Sequence, residues 1–398
     1  MSTPPILVIA DIRFPMQRAN GVQTVKTAAA LARGGAHTRL LVRHSDPRPT
    51  ADLLPLFGLD GSQGLEVVRL RVLHRAGAFH LPRAAFLARA LLAGARWMRG
   101  GGLVFTRDLQ LADLLLRLRG RRGALVYEAH AVEAVMYAER GALYGTGERP
   151  AAAKAERLRA REHCVWRRAD AVVTTTAGIR DSDREAFGPR PRVEVVPNGC
   201  DPPPPALPAP STAAPPRVLY AGQLYPWKGV DVLVEAMAAV PEARLVILGG
   251  LEGERDLLRV RALVQRHGLE GRCEMPGTVG PERVRDELAQ AAVVVVPVLR
   301  TAMTERHTSP LKVFEAMAAG RPLVVSDLPS SREVLRPDEN ALLVPPGDAP
   351  ALAAALRRLL ADAPLAARLA ERGWRDAAGY TWDARARALR AVFAEAAA

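Results

Sequence analysis

Short apolar runs alternate with longer Ala/Leu/Arg-rich stretches along most of this chain. Ile6–Ala10 is a continuous apolar run and predicts a buried strand; Gly21–Arg33 reads as a helix and Arg39–Val42 as the next strand. Further strands are predicted at Glu66–Leu70, Leu103–Thr106, Ala124–Glu128, Ala171–Thr174 and Val193–Val196. Helices fill the gaps, notably Pro82–Arg99 and Ala151–Arg168. Strands that alternate with helices predict a parallel sheet covered on both faces.

The alternation stops at Asp201–Pro216, where eight of sixteen residues are proline. Proline cannot donate to a ladder and breaks a helix interior, so this segment predicts a semi-rigid linker. Beyond it the pattern restarts: strands at Val218–Ala221, Arg244–Leu248, Val293–Pro297 and Leu323–Ser326, with helices from Val230, Glu254 and Leu311. Helical patterns at Pro350–Ala361, Leu365–Ala377 and Trp382–Ala398 end the chain. The organisation predicted is a domain over 1–200, a linker over 201–216, a second domain over 217–380, and a helix over 381–398 that returns to the first domain. Open parallel sheets bind ligands outside the carboxyl ends of their strands. The turns after strands are therefore where the chemistry is expected.

Composition narrows the class. Of the 398 residues 49% are hydrophobic, enough for large cores and too many for a disordered chain. Cys164, Cys200 and Cys273 are widely spaced and odd in number, which argues against a disulfide framework or a cysteine zinc site. The first residues lack a basic stretch followed by a long apolar run, and no run of 18 uncharged apolar residues follows, so a cytoplasmic protein is expected. The net charge of +13 is uneven: residues 1–200 hold 31 basic against 18 acidic groups, and residues 201–398 hold 24 of each. That excess favours an anionic partner for the first half, such as a phosphorylated acceptor or peripheral contact with an anionic membrane. The basic residues are dispersed and not interleaved with aromatics, so nucleic acid is not expected.

Only four of the 55 basic residues are lysine, and two of them, Lys228 and Lys312, fall in the two strongest motifs. In Ser309–Pro329, Pro310 suits the first turn of a helix, Ser309 is placed to cap it, and the helix should end before Gly320. A helix N-terminus presents unpaired N–H groups and suits a diphosphate. Glu315, one turn further on than Leu311, is placed to accept two ribose hydroxyls. In Tyr220–Gly229, Gly222 allows a tight turn after a strand, while Lys228 and Gly229 open the next helix and offer an ammonium to a phosphate. In the first domain, Asn20-Gly21 is a turn signal and Gly21 would let a phosphate approach the backbone. His130 follows the strand at Ala124–Glu128. Asp181-Ser182-Asp183 resembles a metal-binding DxD, but it lies on a helical stretch beside Arg180 and Arg184. Carboxylates at i and i+2 do not face each other there, so a solvated charged face is expected and no metal.

Together GVQTVKTAAALARGG, VVPNGCD, YAGQLYPWKG, SPLKVFEAMAAGRPLVVSDLPSSREVL and TWDARARAL resemble the family-4 glycosyltransferases over essentially the whole chain. The resemblance implies a GT-B fold, two Rossmann-like α/β domains facing each other across a cleft, with the acceptor on the first domain and the donor on the second. It also implies a retaining, metal-independent transfer from a nucleotide-diphosphate sugar to a hydroxyl acceptor, with no cofactor. Lys228 matches the lysine that holds the donor phosphates, and Ser309, Pro310 and Leu311 match the helix start whose amides meet the diphosphate. Glu315 matches the second glutamate of a Glu-seven residues-Glu pattern and is implied at the ribose. Gly21 matches a glycine near the phosphates, and His130 a histidine near the donor sugar. The sequence departs from the family at two points. His307 stands where the first glutamate of that pattern belongs, with Glu305 close by as a substitute at the donor sugar. Gln223, next to Gly222, stands where an arginine is common. A GT-B-like sugar-nucleotide 2-epimerase is the alternative. It would need acid/base carboxylates at the sugar, for which Glu133 is the candidate near His130.

Overall fold

The computed structural model describes residues 4–61, 64–72, 82–118 and 122–398. The first half runs β1 (Ile6–Phe14), α1 (Ala19–Arg33), β2 (Thr38–His44), α2 (Thr50–Leu53), β3 (Glu66–Leu70), α3 (Pro82–Arg99), β4 (Leu103–Thr106), α4 (Leu109–Arg117), β5 (Leu125–Ala129), α5 (Glu133–Leu143), α6 (Ala152–Arg168), β6 (Ala171–Thr174), α7 (Ala177–Phe187) and β7 (Val193–Val195). The second half runs β8 (Arg217–Ala221), α8 (Val230–Ala238), β9 (Arg244–Leu248), α9 (Arg255–Arg266), β10 (Cys273–Gly277), α10 (Pro281–Gln290), β11 (Val293–Val296), α11 (Ala302–Arg306), α12 (Leu311–Ala318), β12 (Leu323–Ser326), α13 (Pro329–Arg332), β13 (Leu342–Val344), α14 (Ala349–Ala361), α15 (Ala363–Ala377) and α16 (Trp382–Ala397).

The strands β4, β6, β11 and β12 are mostly apolar because both faces are covered: every residue of each is buried, with polar Thr106, Thr174 and Ser326 only at carboxyl ends. Two strands escape the apolar pattern. β10 reads CEMPG and is a half-buried edge strand, and β13 has only three residues, also at an edge. Edge strands need no continuous apolar run, and there a proline is tolerated.

The chain divides into two compact units. Unit 1 comprises Met1–Val135, Ala151–Asn198 and Trp382–Ala398; unit 2 comprises Met136–Pro150 and Gly199–Thr381. Residues 136–150 thus group with the second unit, not with the rest of 1–200. In unit 1, α16 packs on α1, where Arg33 Nη2 meets Asp383 Oδ1 at 2.7 Å, and the Phe393 ring sits 5.1 Å from that of Phe105.

The proline-rich stretch is bound to unit 2 rather than forming a free hinge. Trp374 Nε1 donates to the Pro204 carbonyl at 3.2 Å and Ser211 Oγ to the Gln290 carbonyl at 2.6 Å. Leu207 and Pro208 lie so close to Gly320 that a Cβ there would sit 2.9 Å from Leu207.

Unit 1 holds a parallel sheet of order β3-β2-β1-β4-β5-β6-β7, and unit 2 one of order β10-β9-β8-β11-β12-β13, among the described residues. In each, the chain winds outward in one direction from the first strand and then in the other. The order reverses between β1 and β4 in unit 1, and between β8 and β11 in unit 2. Crevices at such points, outside the carboxyl ends, receive ligands in open α/β sheets.

Candidate functional site

In unit 2 the carboxyl end of β8 leads into a turn held from inside: the Tyr220 hydroxyl donates to the Gln223 carbonyl at 2.6 Å, beside Gly222. A single 3-10 turn, Pro226–Lys228, follows. Lys228 closes that turn instead of opening α8, which begins at Val230. Gly229 has φ +70°, and a Cβ there would lie 1.8 Å from the Pro297 carbonyl oxygen, so only glycine fits. Leu299 N donates to the Trp227 carbonyl at 2.9 Å, which ties this turn to the segment after β11 across the reversal point. The Lys228 ammonium sits 3.9 Å from the centroid of the Trp227 ring. Burial, and then the charge of Lys312, push the Lys228 ammonium down to about 8.

The segment after β11 carries the other candidates. Thr301 caps α11 in a reciprocal pair with Thr304. Arg300 forms an ion pair with Glu305 on that helix, and His307 is buried just beyond it. Burial and Arg306 push the His307 imidazole down to about 4, so it is neutral at pH 7. The N-cap of α12 is Pro310, in extended conformation, and no side chain caps it. Ser309 is therefore one residue too early for the predicted cap; the Val313 amide turns back to the Pro310 carbonyl at 3.1 Å, and no side chain caps the earlier amides of Leu311 and Lys312. Lys312 stands in that first turn, and its Nζ lies 2.7 Å from Glu315 Oε2. The structure thus gathers Lys228, Lys312, Glu315 and the α12 N-terminus around one reversal point. Glu305 is engaged with Arg300.

Unit 1 presents a different arrangement. Gly21 is not in a turn: it lies in the first turn of α1, and a Cβ there would be 1.9 Å from the Met16 carbonyl oxygen. Glycine lets the segment before α1 cross that turn. His130 follows β5, with Nε2 3.1 Å from Glu128 Oε2. Its imidazole is pushed down to about 4, first by burial and then by Arg107. Burial alone would raise the Glu128 carboxyl, but Arg385, His130 and Arg107 hold it well below the usual carboxylate range. Gln23 Nε2 donates to both Glu128 oxygens at 3.2 Å, and the buried Arg385 guanidinium pairs with Oε1.

Sequence reasoning misses Arg107 and Arg385. Arg107 follows β4 at the reversal point, where its Nη1 lies 3.4 Å from Gln23 Oε1, and burial lowers its pKa. A basic residue straight after a strand is the signal, but it gains meaning only once β4 is known to neighbour β1. Arg385 projects from α16 and also donates to Thr27 Oγ1 at 3.1 Å and to the Val196 and Pro197 carbonyls at 2.6 and 2.8 Å.

The Asp181-Ser182-Asp183 segment lies on α7, as expected, but Asp183 is not solvated. It is buried and shares a small cavity with Tyr127, Glu162 and Trp166. Burial pushes its carboxyl up to about 7 and that of Glu162 up to about 8. The described residues hold no group of three or more His, Cys, Asp or Glu arranged to bind a metal ion. No described helix is long and apolar enough to cross a membrane.

Two parallel Rossmann-like α/β units, each with its polar cluster at the reversal point, define a GT-B fold. Residues 20–199 match the family described as glycosyl transferase 4-like domain, and residues 215–362 that described as glycosyl transferases group 1. The chain belongs to the family-4 glycosyltransferases. It is 33% identical over 252 residues to a D-inositol 3-phosphate glycosyltransferase of Xylanimonas cellulosilytica, a match covering 59% of each chain. The chain thus spans about three-fifths of that relative's length. Among solved structures, the sucrose-phosphate synthase of Thermosynechococcus elongatus superposes with a TM-score of 0.76 at 25% identity, over 97% of both chains. Anabaena Alr3699/HepE, solved in complex with UDP-glucose, gives 0.72 at 17% identity over 97% of this chain and 98% of its own.

Proposed function

We propose that this protein is a retaining glycosyltransferase that moves a sugar from a nucleotide-diphosphate donor to a hydroxyl acceptor, without metal or cofactor. The observation that carries the reading is the meeting of Lys228, Lys312 and the uncapped start of α12 at the reversal point of unit 2. As the anomeric C–O bond breaks, positive charge grows on the sugar and negative charge on the leaving diphosphate. Lys228 and the backbone amides of Ser309 and Leu311, on either side of Pro310, stabilise that diphosphate. Glu315 takes the ribose hydroxyls, with Lys312 orienting its carboxylate. A leaving phosphate oxygen accepts the acceptor proton, so no protein nucleophile is needed. In this reading Gly21 lies near the phosphates, His130 near the donor sugar, and Glu305 or His307 takes the position the usual glutamate fills; the motif resemblance supports these roles. His130 acts there as a neutral hydrogen-bonding group.

The charge of the first 200 residues supports an anionic acceptor or an anionic membrane at unit 1. Salt-sensitive co-sedimentation with anionic but not neutral liposomes tests the membrane arm. For the donor, thermal-shift measurements with UDP-, GDP- and dTDP-linked sugars are direct, because ligand at ~100 times its dissociation constant adds ~2.7 kcal/mol. One of them should raise the melting temperature, and an acceptor should then release the nucleoside diphosphate in the presence of EDTA. Full, metal-reversible loss of activity in EDTA would overturn metal independence. The family match lends nothing to the 2-epimerase alternative. Donor incubated alone should keep its sugar configuration, and an epimerised product would replace transfer with that alternative.

A further inference from the structure

Unit 1 contains a cavity that the transfer reaction does not use. It has a volume of about 500 Å³ and lies between α3 and the face of β1, β2 and β3. Pro5 and His37, which line it, precede β1 and β2. It therefore opens at the amino ends of the strands, whereas His130 and Arg107 follow carboxyl ends. α3 packs on β1 and β4, and the cavity lies beside that contact, toward β2 and β3. Leu41, Val68 and Leu70 form the sheet wall, and Ala93 and Trp97 form the helix wall. A space of this size falls within the range of small-molecule sites, roughly 300–1,000 Å³.

The rim is cationic. Arg39 and Arg96 both line the cavity. The Arg39 guanidinium stacks 5.2 Å from the centroid of the Trp97 ring, and Glu66, 2.7 Å away, neutralises it. Arg96 is exposed and, like Arg99 a turn further on, forms no ion pair among the described residues. α3 holds four arginines and no acidic residue. Arg83 and Arg89 are engaged elsewhere, with Asp11, Asp108 and the Arg71 carbonyl, whereas the last-turn position of Arg96 and Arg99 favours their charge at the helix C-terminus. An apolar slot with uncompensated guanidinium at its mouth matches a molecule with a hydrocarbon chain and an anionic head.

We propose that this cavity binds a single-chain anionic amphiphile, its hydrocarbon chain between α3 and the sheet and its carboxylate at Arg96. The inference rests on unit 1 alone and does not depend on the transfer reaction.

The test is calorimetric titration of the full chain with octanoate, decanoate, dodecanoate and dodecanol, below their micellar concentrations. Each added methylene should tighten binding about fourfold, the equivalent of about 0.8 kcal/mol per buried CH₂, until the cavity is full. Ala93→Trp fills the slot and should weaken dodecanoate at least tenfold. Arg96→Glu, an exposed substitution that should leave the fold intact, should weaken dodecanoate about tenfold and leave dodecanol unchanged. Affinity independent of chain length, or dodecanoate binding unaltered in both variants, overturns the proposal. So does a dimer in light scattering that Ala93→Trp or Arg96→Glu dissociates, since a second copy of the chain would then cover this face.

Discussion

The polar clusters of the two units sit at equivalent places in equivalent sheets, yet they are built in opposite ways. In unit 2 the groups come from two short segments and are under-compensated: Lys228 has a ring and another lysine for company, and the first amides of α12 have no capping side chain. In unit 1 the groups come from four separated stretches and are mutually neutralised: Glu128 accepts from Arg385 and Gln23 and adjoins His130. A ligand can supply what the first cluster lacks. The second is already satisfied, and its charges serve the fold as much as any substrate. Substitutions in the unit 1 network should therefore cost stability, and those in unit 2 should cost activity.

The largest effect is expected from Arg385→Ala. It strands the buried Glu128 carboxylate and leaves the Val196 and Pro197 carbonyls without their donor. Breaking a buried pair by removing one partner costs about 3–5 kcal/mol. Urea unfolding should show a loss of that order. A midpoint equal to wild type would mean that the network contributes nothing and that the two clusters do not differ as described.

Lys228→Ala comes next and should fall on the other side. A group that meets charge growing in the transition state lowers turnover when removed, by about 100-fold for a single donor. Steady-state kinetics over donor concentration should show a lower kcat as well as a higher KM, with the melting temperature unchanged or raised, since a desolvated ammonium is removed. Lys228→Arg should recover only part, because a planar fork replaces a point charge. Near-wild-type kinetics for Lys228→Ala would remove the phosphate assignment.

This contrast also explains what the sequence discloses. Lys228, Ser309–Leu311 and Glu315 stand in two short segments, where a turn after a strand and a helix start are local events. α3, β4 and β12 agree with their apolar runs residue for residue. The Glu128 network depends on partners 105 and 257 residues away, and no local pattern records such distances. Asp183 fails for a related reason. Helical spacing tells which residues share a face of α7, but not that Tyr127 and Glu162 pack over it. The Ser309 cap fails because Pro310 itself takes the extended conformation of an N-cap.

Within unit 2 a smaller difference separates two neighbours. Glu315 is assigned to the ribose, which does not change during the reaction, so Glu315→Gln should act as lost uniform binding. The donor KM should rise about tenfold with kcat within about twofold of wild type. A fall in kcat with KM unchanged would instead put Glu315 at the reacting centre.

The smallest effect is a pH dependence in which activity and stability move in opposite directions. The Lys228 ammonium is pushed down to about 8, so the free protein loses that charge as pH rises through this value. Between pH 7.5 and 9 the charged fraction falls about eightfold, and kcat/KM, which reports the free enzyme, should fall with it. Stability should move the other way. The unfolded lysine keeps its proton up to about 10.4, so above pH 8 the unfolded chain binds more protons than the folded one. Unfolding free energy of the ligand-free protein should therefore rise between about pH 8 and 10 from this group, while activity declines. In Lys228→Arg both trends should vanish, because a guanidinium stays charged throughout. An alkaline fall in kcat/KM that persists in Lys228→Arg would assign the titration to another group, and with it the claim that unit 2 holds its cation at the expense of stability.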